Sequence, residues 1–295
     1  MIAYTRSGDS MRGITKYFKT DTRSSNLIIR GLFDIHYGSL ACEIDRLRED
    51  IAKIKKNGEW WFLGGDNTDA IGIKDKRFNA YNLKATIQVN VHDLYRQQVK
   101  ELYEELKEIR ETCLGVMMGN HELTVVDNYG VDLAGMMAEL LGTTNLSYTA
   151  LINLSFKRNK GDAGGKIVRL FLSHGFGAGS SPAGAMNALV NKGSTGFLAD
   201  IYWDGHHHKK MFMFQPILTC LKDKIVEKKR LFVLGGTFNK TYQNGIHNYA
   251  ERTAYAPAEL GSNAIRITPF ASKNEKDITG KSKPVDYVKY SVLED

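Results

Sequence analysis

Apolar and polar positions change period several times along the 295-residue chain. The run Leu27-Ile28-Ile29-Arg30-Gly31-Leu32-Phe33 is apolar and of strand length. A helical stripe follows at Leu40, Ile44, Leu47, Ile51 and Ile54, spaced by fours and threes, and Asn57-Gly58 ends it. Trp60-Trp61-Phe62-Leu63 reads as a second strand. A second long helix carries Val91, Leu94, Val99, Leu102, Leu106 and Ile109 on one face and charges on the other. Leu114-Gly115-Val116-Met117-Met118 is the third strand. This alternation predicts an α/β core with parallel strands.

The second half reads differently. A helix around 131–141 precedes strands at 151–154 and 167–172, and later strands are expected at 231–234, 264–268 and 285–293. That order favours more antiparallel pairing, with the glycine-rich Gly161–Gly165 run as the clearest hairpin turn. Residues 1–25 are polar and basic (Arg6, Arg12, Lys16, Lys19, Arg23) and read as an N-terminal arm. With no internal repeat and no obvious linker, residues 26–295 are expected to form a single domain of two packed sheets. Its motif-bearing core would be 27–208 and its C-terminal strands and loops 209–295.

Composition narrows the class only a little. The chain is 42% hydrophobic and 25% charged, as in ordinary globular proteins. Cys42, Cys113 and Cys220 are odd in number and widely spaced, which argues against a disulfide framework or a thiolate zinc site. The N-terminus lacks an apolar signal core, and no stretch has the length and apolarity of a membrane span, so a soluble cytoplasmic protein with no membrane partner is expected. A net charge of +7 leans mildly toward polyanionic partners.

The polar residues at the strand ends carry more. The first strand runs into Asp34-Ile35-His36, the second into Gly65-Asp66-Asn67, the third into Gly119-Asn120-His121-Glu122. The strand ending at Leu172 runs into Ser173-His174-Gly175. A strand-like stretch from Phe197 to Trp203 runs into Asp204-Gly205-His206-His207-His208. Ligands of α/β sheets bind where carboxyl ends of strands open into loops. Asp34 and His36 stand two apart, as do His206 and His208, so on extended backbone each pair shares a face and His207 is turned away. Carboxylate, imidazole and amide donors without thiolate suit Mn, Fe or Zn in a mixed site, and more than four of them suggest two ions. Six of the eight histidines fall inside these blocks, whereas His92 and His247 read as ordinary solvated side chains.

In their order, DxH, GD, GNHE, H and GHxH, these blocks resemble the calcineurin-like metallophosphoesterases, over about residues 27–208. The resemblance implies a four-layer α/β/β/α sandwich of two mixed β-sheets flanked by helices, with a two-metal centre at one edge. It implies one cation held by Asp34, His36, Asp66 and His208, and a second held by Asp66, Asn120, His174 and His206, with Asp66 bridging. His121 would stand beside the leaving-group oxygen. Phe33 departs from the pattern, since many members have Gly or Ser before the first Asp; packing should change and coordination should not. Glu122 stands where the repair nucleases usually have Asp. Asp66-Asn67-Thr68-Asp69-Ala70-Ile71 lacks the Arg-Gly of the Ser/Thr protein phosphatases. Beyond residue 208 the chain resembles small stand-alone members found in phage genomes, including Tyr249-Ala250-Glu251-Arg252.

The expected activity is phosphoester hydrolysis by water activated between two divalent cations, Mn first and Fe or Zn as alternatives. Basic balance, the missing Arg-Gly and the likeness to repair nucleases favour a phosphodiesterase acting on DNA, with Tyr249 and Arg252 as candidate substrate contacts. A phosphatase or cyclic-nucleotide phosphodiesterase for small esters is one alternative. A non-catalytic nucleic-acid-binding scaffold is another, although such a protein has no reason to keep all seven ligands.

Overall fold

The computed structural model describes residues 11–72, 75, 78–84, 93–158, 165–175, 177, 181–221, 224–242, 254–276 and 282–293. Strand β1 spans Met11–Thr20 and β2 Leu27–Leu32, followed by helix α1, Ile44–Asn57. Then come β3 (Trp60–Gly64), α2 (Leu94–Leu106), β4 (Cys113–Met117), α3 (Asn120–Tyr129) and α4 (Leu133–Leu141). Strands β5 (Asn145–Ser147), β6 (Thr149–Arg158) and β7 (Lys166–Ser173) precede helix α5, Pro182–Gly196. The chain ends with β8 (Ile201–Asp204), β9 (Lys210–Leu221), β10 (Lys224–Thr237), β11 (Gly261–Lys276) and β12 (Ser282–Leu293).

The four-layer sandwich of two flanked sheets is not what this chain forms. Neighbouring strands run β11-β2-β3-β4-β5-β1-β6-β7-β8-β10, and β10 pairs back onto β11, closing a ten-stranded barrel with few helices. Strands β12 and β9 extend from β11 and β10 outside the ring. Two joints make the difference. The first is β1, expected to be part of an arm, which lies parallel to β6 from Met11 opposite Thr149 to Thr20 opposite Arg158. It also touches β5 at Ser147, so it bridges what would otherwise be two sheets. Its side chains alternate: Ile14 and Phe18 pack on the barrel interior, while Thr15, Tyr17 and Lys19 face out.

The second joint pairs Gly236 with Ser262 and Thr237 with Gly261. Gly236 has φ 83° and Gly261 φ 103°, a region that side-chain-bearing residues rarely adopt. A Cβ on Gly236 would also collide with the Gly261 carbonyl oxygen. Glycine at both positions lets the two backbones meet.

Several local expectations match the structure. Strands β2, β3 and β4 pair in parallel. Helix α1 ends at Gly58 in the left-handed conformation, where its N–H bonds the Ile54 carbonyl. Helix α5 has a start of its own kind, in which Ser181 caps it by accepting from the Gly184 N–H at 3.1 Å and Pro182 opens it. The segment 131–141 resolves into α4, preceded by α3, which starts within the GNHE block. Of the stretch 197–203 only the last three residues are strand, at the start of Ile201–Asp204. Most of the glycine-rich turn at 161–165 lies outside the described residues, as do His92 and His247.

Three large apolar clusters, and a small one around Leu83 and Leu94, hold the described residues together. The barrel interior is filled by Ile29, Phe62, Ile152, Leu170, Trp203, Val233 and Ile265, among others. A second cluster packs α1, α2 and α4 (Leu47, Leu102, Met137) against Trp61, Leu63 and Val116 of β3 and β4. A third seats α5 through Met186 and Leu189 on Phe171, Tyr202 and Phe232. Among the described residues no helix is long and apolar enough to cross a membrane.

A candidate metal centre at the strand ends

Ends of five strands, β2, β3, β4, β7 and β8, lead directly into the polar blocks. Backbone bonds stitch these loops together. Asp34 N–H donates to Gly65 O (3.1 Å), His36 N–H to Asp66 O (2.9 Å) and Tyr37 N–H to Asn67 O (3.0 Å). Asp69 N–H returns to Tyr37 O at 2.9 Å, and Gly205 N–H reaches His174 O at 3.1 Å. The Asp34 carbonyl accepts from Phe238 N–H (3.0 Å) and from Thr237 Oγ1 (2.9 Å), which ties the end of β10 to the same site.

Beneath the site lies Phe33, fully buried, its ring edge-on to Phe62 at 5.4 Å. A Cβ on Gly64, Gly205 or Gly235 would strike this ring. Three glycines from three strand ends therefore leave room for the phenyl group. Phe33 is thus a packed floor beneath the side chains that follow it.

All seven residues expected as ligands meet. Asp34, His36 and His208 offer atoms within 4.8 Å of one another, as do Asp66, His174 and His206, and so do His36, Asp66 and His121. His208 Nε2 is 3.4 Å from Asp34 Oδ1 and 3.2 Å from His36 Nε2. His174 Nε2 is 3.4 Å from Asp66 Oδ2. Asn120 Oδ1 lies 2.8 Å from His206 Nδ1 and 3.2 Å from His174 Nε2, so the amide joins the second group. Asp66 links the groups, its Oδ2 standing 3.9 Å from His36 Nε2.

The route by which paired ligands converge differs from the expected one. Asp34, His36, Asp66, His206 and His208 have φ between 48° and 67°, so they occupy left-handed turns and not extended backbone. Such conformations cost about 1–3 kcal/mol each for a residue with a side chain, and they cluster where surrounding structure enforces them.

Do these side chains fit divalent cations? His174 Nδ1 donates to the Gly64 carbonyl at 3.0 Å, which orients the ring so that Nε2 faces Asp66. His36 presents Nε2 inward while its Nδ1 stands 3.6 Å from the Asp69 carboxylate. Asp34 Oδ1 is buried and has no hydrogen-bond donor. Burial opposes ionisation of Asp34 and Asp66, yet the imidazoles of His208 beside Asp34 and of His174 beside Asp66 outweigh it and hold both carboxyls below their usual range. Burial likewise opposes a charged His174, but Asp66 and then Asp34 push it up to about 10. His36 and His206 are pushed down, chiefly by burial, and so favour the neutral form that ligates metal. Buried carboxylates that draw positive charge, ringed by oriented imidazoles and free of thiolate, fit two hard or borderline divalent cations.

His121 sits at the rim of this group. Its Nδ1 bonds the Asp69 carbonyl, so Nε2 faces the other side chains of the group, 4.0 Å from Asp66 Oδ2. Its backbone N–H donates to Asp66 Oδ1 at 2.9 Å, and its ring meets His36 edge-on at 4.6 Å. His207 belongs to none of the three groups. It is buried, and burial, then His206, pushes its pKa down to about 4. Tyr249 and Arg252, the candidate substrate contacts, lie outside the described residues.

The residue pattern gave no sign of Asp69, whose carbonyl orients His121 and whose carboxylate faces His36, nor of Tyr148. The Tyr148 hydroxyl donates to Gly175 O at 2.6 Å, and its ring stands edge-on to His174 at 5.6 Å. The only available signal for Asp69 was its place three residues after Asp66.

No family model matches the chain, and no curated protein matches it. Among solved structures it is similar to "GAP50 the anchor in the inner membrane complex of Plasmodium", at 10% identity and a TM-score of 0.41, over 89% of this chain and 88% of that one. The chemistry of the site rests on its own geometry.

Proposed function

We propose that the protein is a metal-dependent phosphoester hydrolase, and specifically a phosphodiesterase acting on nucleic acid. One observation carries the reading: seven carboxylate, imidazole and amide ligands from five strand ends converge in overlapping groups that share Asp66. Asp34, His36, Asp66 and His208 would hold one cation, and Asp66, Asn120, His174 and His206 the other. A pair of divalent cations supplies Lewis-acid chemistry, making water a nucleophile near neutral pH and neutralising the non-bridging oxygens of a phosphate.

The remaining work falls to the chain itself. Asp34 and Asp66 stay ionised and orient the imidazoles around them. His121 points Nε2 toward Asp66 while the Asp69 carbonyl holds its other nitrogen, an arrangement suited to passing a proton to a departing oxygen. Left-handed turns at five of the ligands fix donor positions before substrate arrives, so little reorganisation is required at the moment of reaction. Preference for nucleic acid is supported by the net charge of +7 and by the absence of an Arg-Gly after Asp66.

The test is hydrolysis of labelled single-stranded DNA, duplex DNA and RNA beside cyclic AMP and nitrophenyl phosphate, with Mn²⁺ and with chelator. Metal-dependent strand cleavage is the expected result. Turnover of small esters alone would move the protein to a phosphatase or cyclic-nucleotide phosphodiesterase. Salt-sensitive DNA binding with no turnover of any ester would make it a scaffold.

A further inference from the structure

Glu122 is the most heavily engaged carboxylate of the region, although it belongs to none of the groups that could hold a cation. It is buried at the first turn of α3. Its Oε1 accepts from Asn67 N–H at 2.8 Å, from Thr68 N–H at 3.0 Å and from the Thr68 hydroxyl at 3.3 Å. Its Oε2 accepts from Asp66 N–H at 3.0 Å and from Gly119 N–H at 2.9 Å. Five donors thus converge on one side chain, four of them backbone amides, and three of those amides are consecutive. Their residues form the loop that follows β3 and begins with Asp66.

We infer that Glu122 is a positioning residue which sets the bridging carboxylate of Asp66; the inference rests on the metal-centre reading above. Asp66 has φ 48°, so its backbone holds an unfavourable turn that something must enforce. The Glu122 oxygens enforce it by binding the loop amides as a carboxylate fills an anion-binding nest. The same carboxylate ties Gly119 to that loop, and His121 N–H in turn donates to Asp66 Oδ1. Backbone and carboxylate of Asp66 are therefore both fixed by the first turn of α3, with Asn120 of the second group and His121 on the same turn. A glutamate at this position reaches the adjacent loop from a helix start. Outer-shell partners of this kind are typically worth 10–100-fold in metal affinity or activity.

Glu122→Gln tests the inference. The amide keeps shape and volume, yet one of its two ends must turn an NH₂ toward amides that themselves donate. Mn²⁺ affinity and stoichiometry are measured by calorimetry, and coupling between ions by electron paramagnetic resonance. Near-ultraviolet circular dichroism reports folding through buried Trp61 and Trp203. The expected result is a folded variant whose Mn²⁺ affinity falls at least about tenfold, with the exchange-coupled signal of the pair weakened. Glu122→Asp, which keeps both oxygens on a shorter arm, should retain more of that signal than the glutamine variant. Should Glu122→Gln fail to fold, Thr68→Val removes one donor alone and should weaken the coupled signal by a smaller factor. A folded glutamine variant with parental affinity and coupling overturns the inference while leaving the metal centre intact. A parent protein that binds no coupled pair overturns the metal-centre reading, and this inference with it.

Discussion

His36 and His208 lie 172 residues apart in the chain, and their Nε2 atoms face each other at 3.2 Å. Two imidazole nitrogens at this separation share at most one proton unless a cation takes both lone pairs. Asp34 Oδ1, 3.4 Å from His208 Nε2, completes the same corner. A cation at this corner would depend on side chains that no local stretch of sequence brings together.

Asp66 should be the single most damaging ligand to remove, because its carboxylate is common to both groups. Asp66→Ala is expected to lose both ions, measured by metal analysis after gel filtration. Full occupancy in that variant contradicts a bridging role. Asn120→Ala, which touches only His174 and His206, should spare the ion held by Asp34, His36 and His208.

His121→Ala should separate proton transfer from metal binding. The variant is expected to keep the parental metal content and to lose about 10²–10⁴-fold in kcat. An unchanged kcat with metal bound removes His121 from the chemistry. Loss of metal instead would assign it to the group formed with His36 and Asp66.

Phe33 gives a prediction about stability. Its ring fills the space that Gly64, Gly205 and Gly235 leave beneath the ligands. Phe33→Ala should cost about 3–5 kcal/mol by lost burial and a residual cavity, read from chemical denaturation. Gly205→Ala, which drives a methyl into the ring, should also destabilise. A cost below about 1 kcal/mol for Phe33→Ala would show that the floor collapses freely.

The cysteines should differ sharply in reactivity. Cys220 is exposed on β9, whereas burial pushes the thiols of Cys42 and Cys113 up to about 12. Thiolate is the reactive form, so a maleimide at pH 7 should label Cys220 alone until the protein is unfolded. Mass spectrometry of the labelled peptides checks this, and rapid labelling of Cys113 would contradict its burial.

The convergence of these side chains was legible because residue type, order and placement after strand-like runs all agreed at Asp34, Asp66, Asn120, His174 and His206. Backbone geometry was not. Alternation on extended chain was the expected reason for Asp34 and His36 to share a face, whereas left-handed turns bring them together. Barrel closure was hidden for a different reason. Arg12, Lys16 and Lys19 on β1 masked the alternation of Ile14 and Phe18, and the Gly236–Gly261 seam joins segments whose pairing has no local signature. Glu122 acts on backbone amides of a distant loop and Asp69 on the rings of His121 and His36, and neither set of contacts leaves a periodic trace in sequence.

The most direct measurement is anomalous diffraction from crystals soaked in manganese. Two peaks are expected within the ring of Asp34, His36, Asp66, Asn120, His174, His206 and His208, roughly 3.5–4 Å apart as in two-metal hydrolytic sites, with Asp66 between them. A single peak held by only one of the groups, or none among these side chains, would contradict the account.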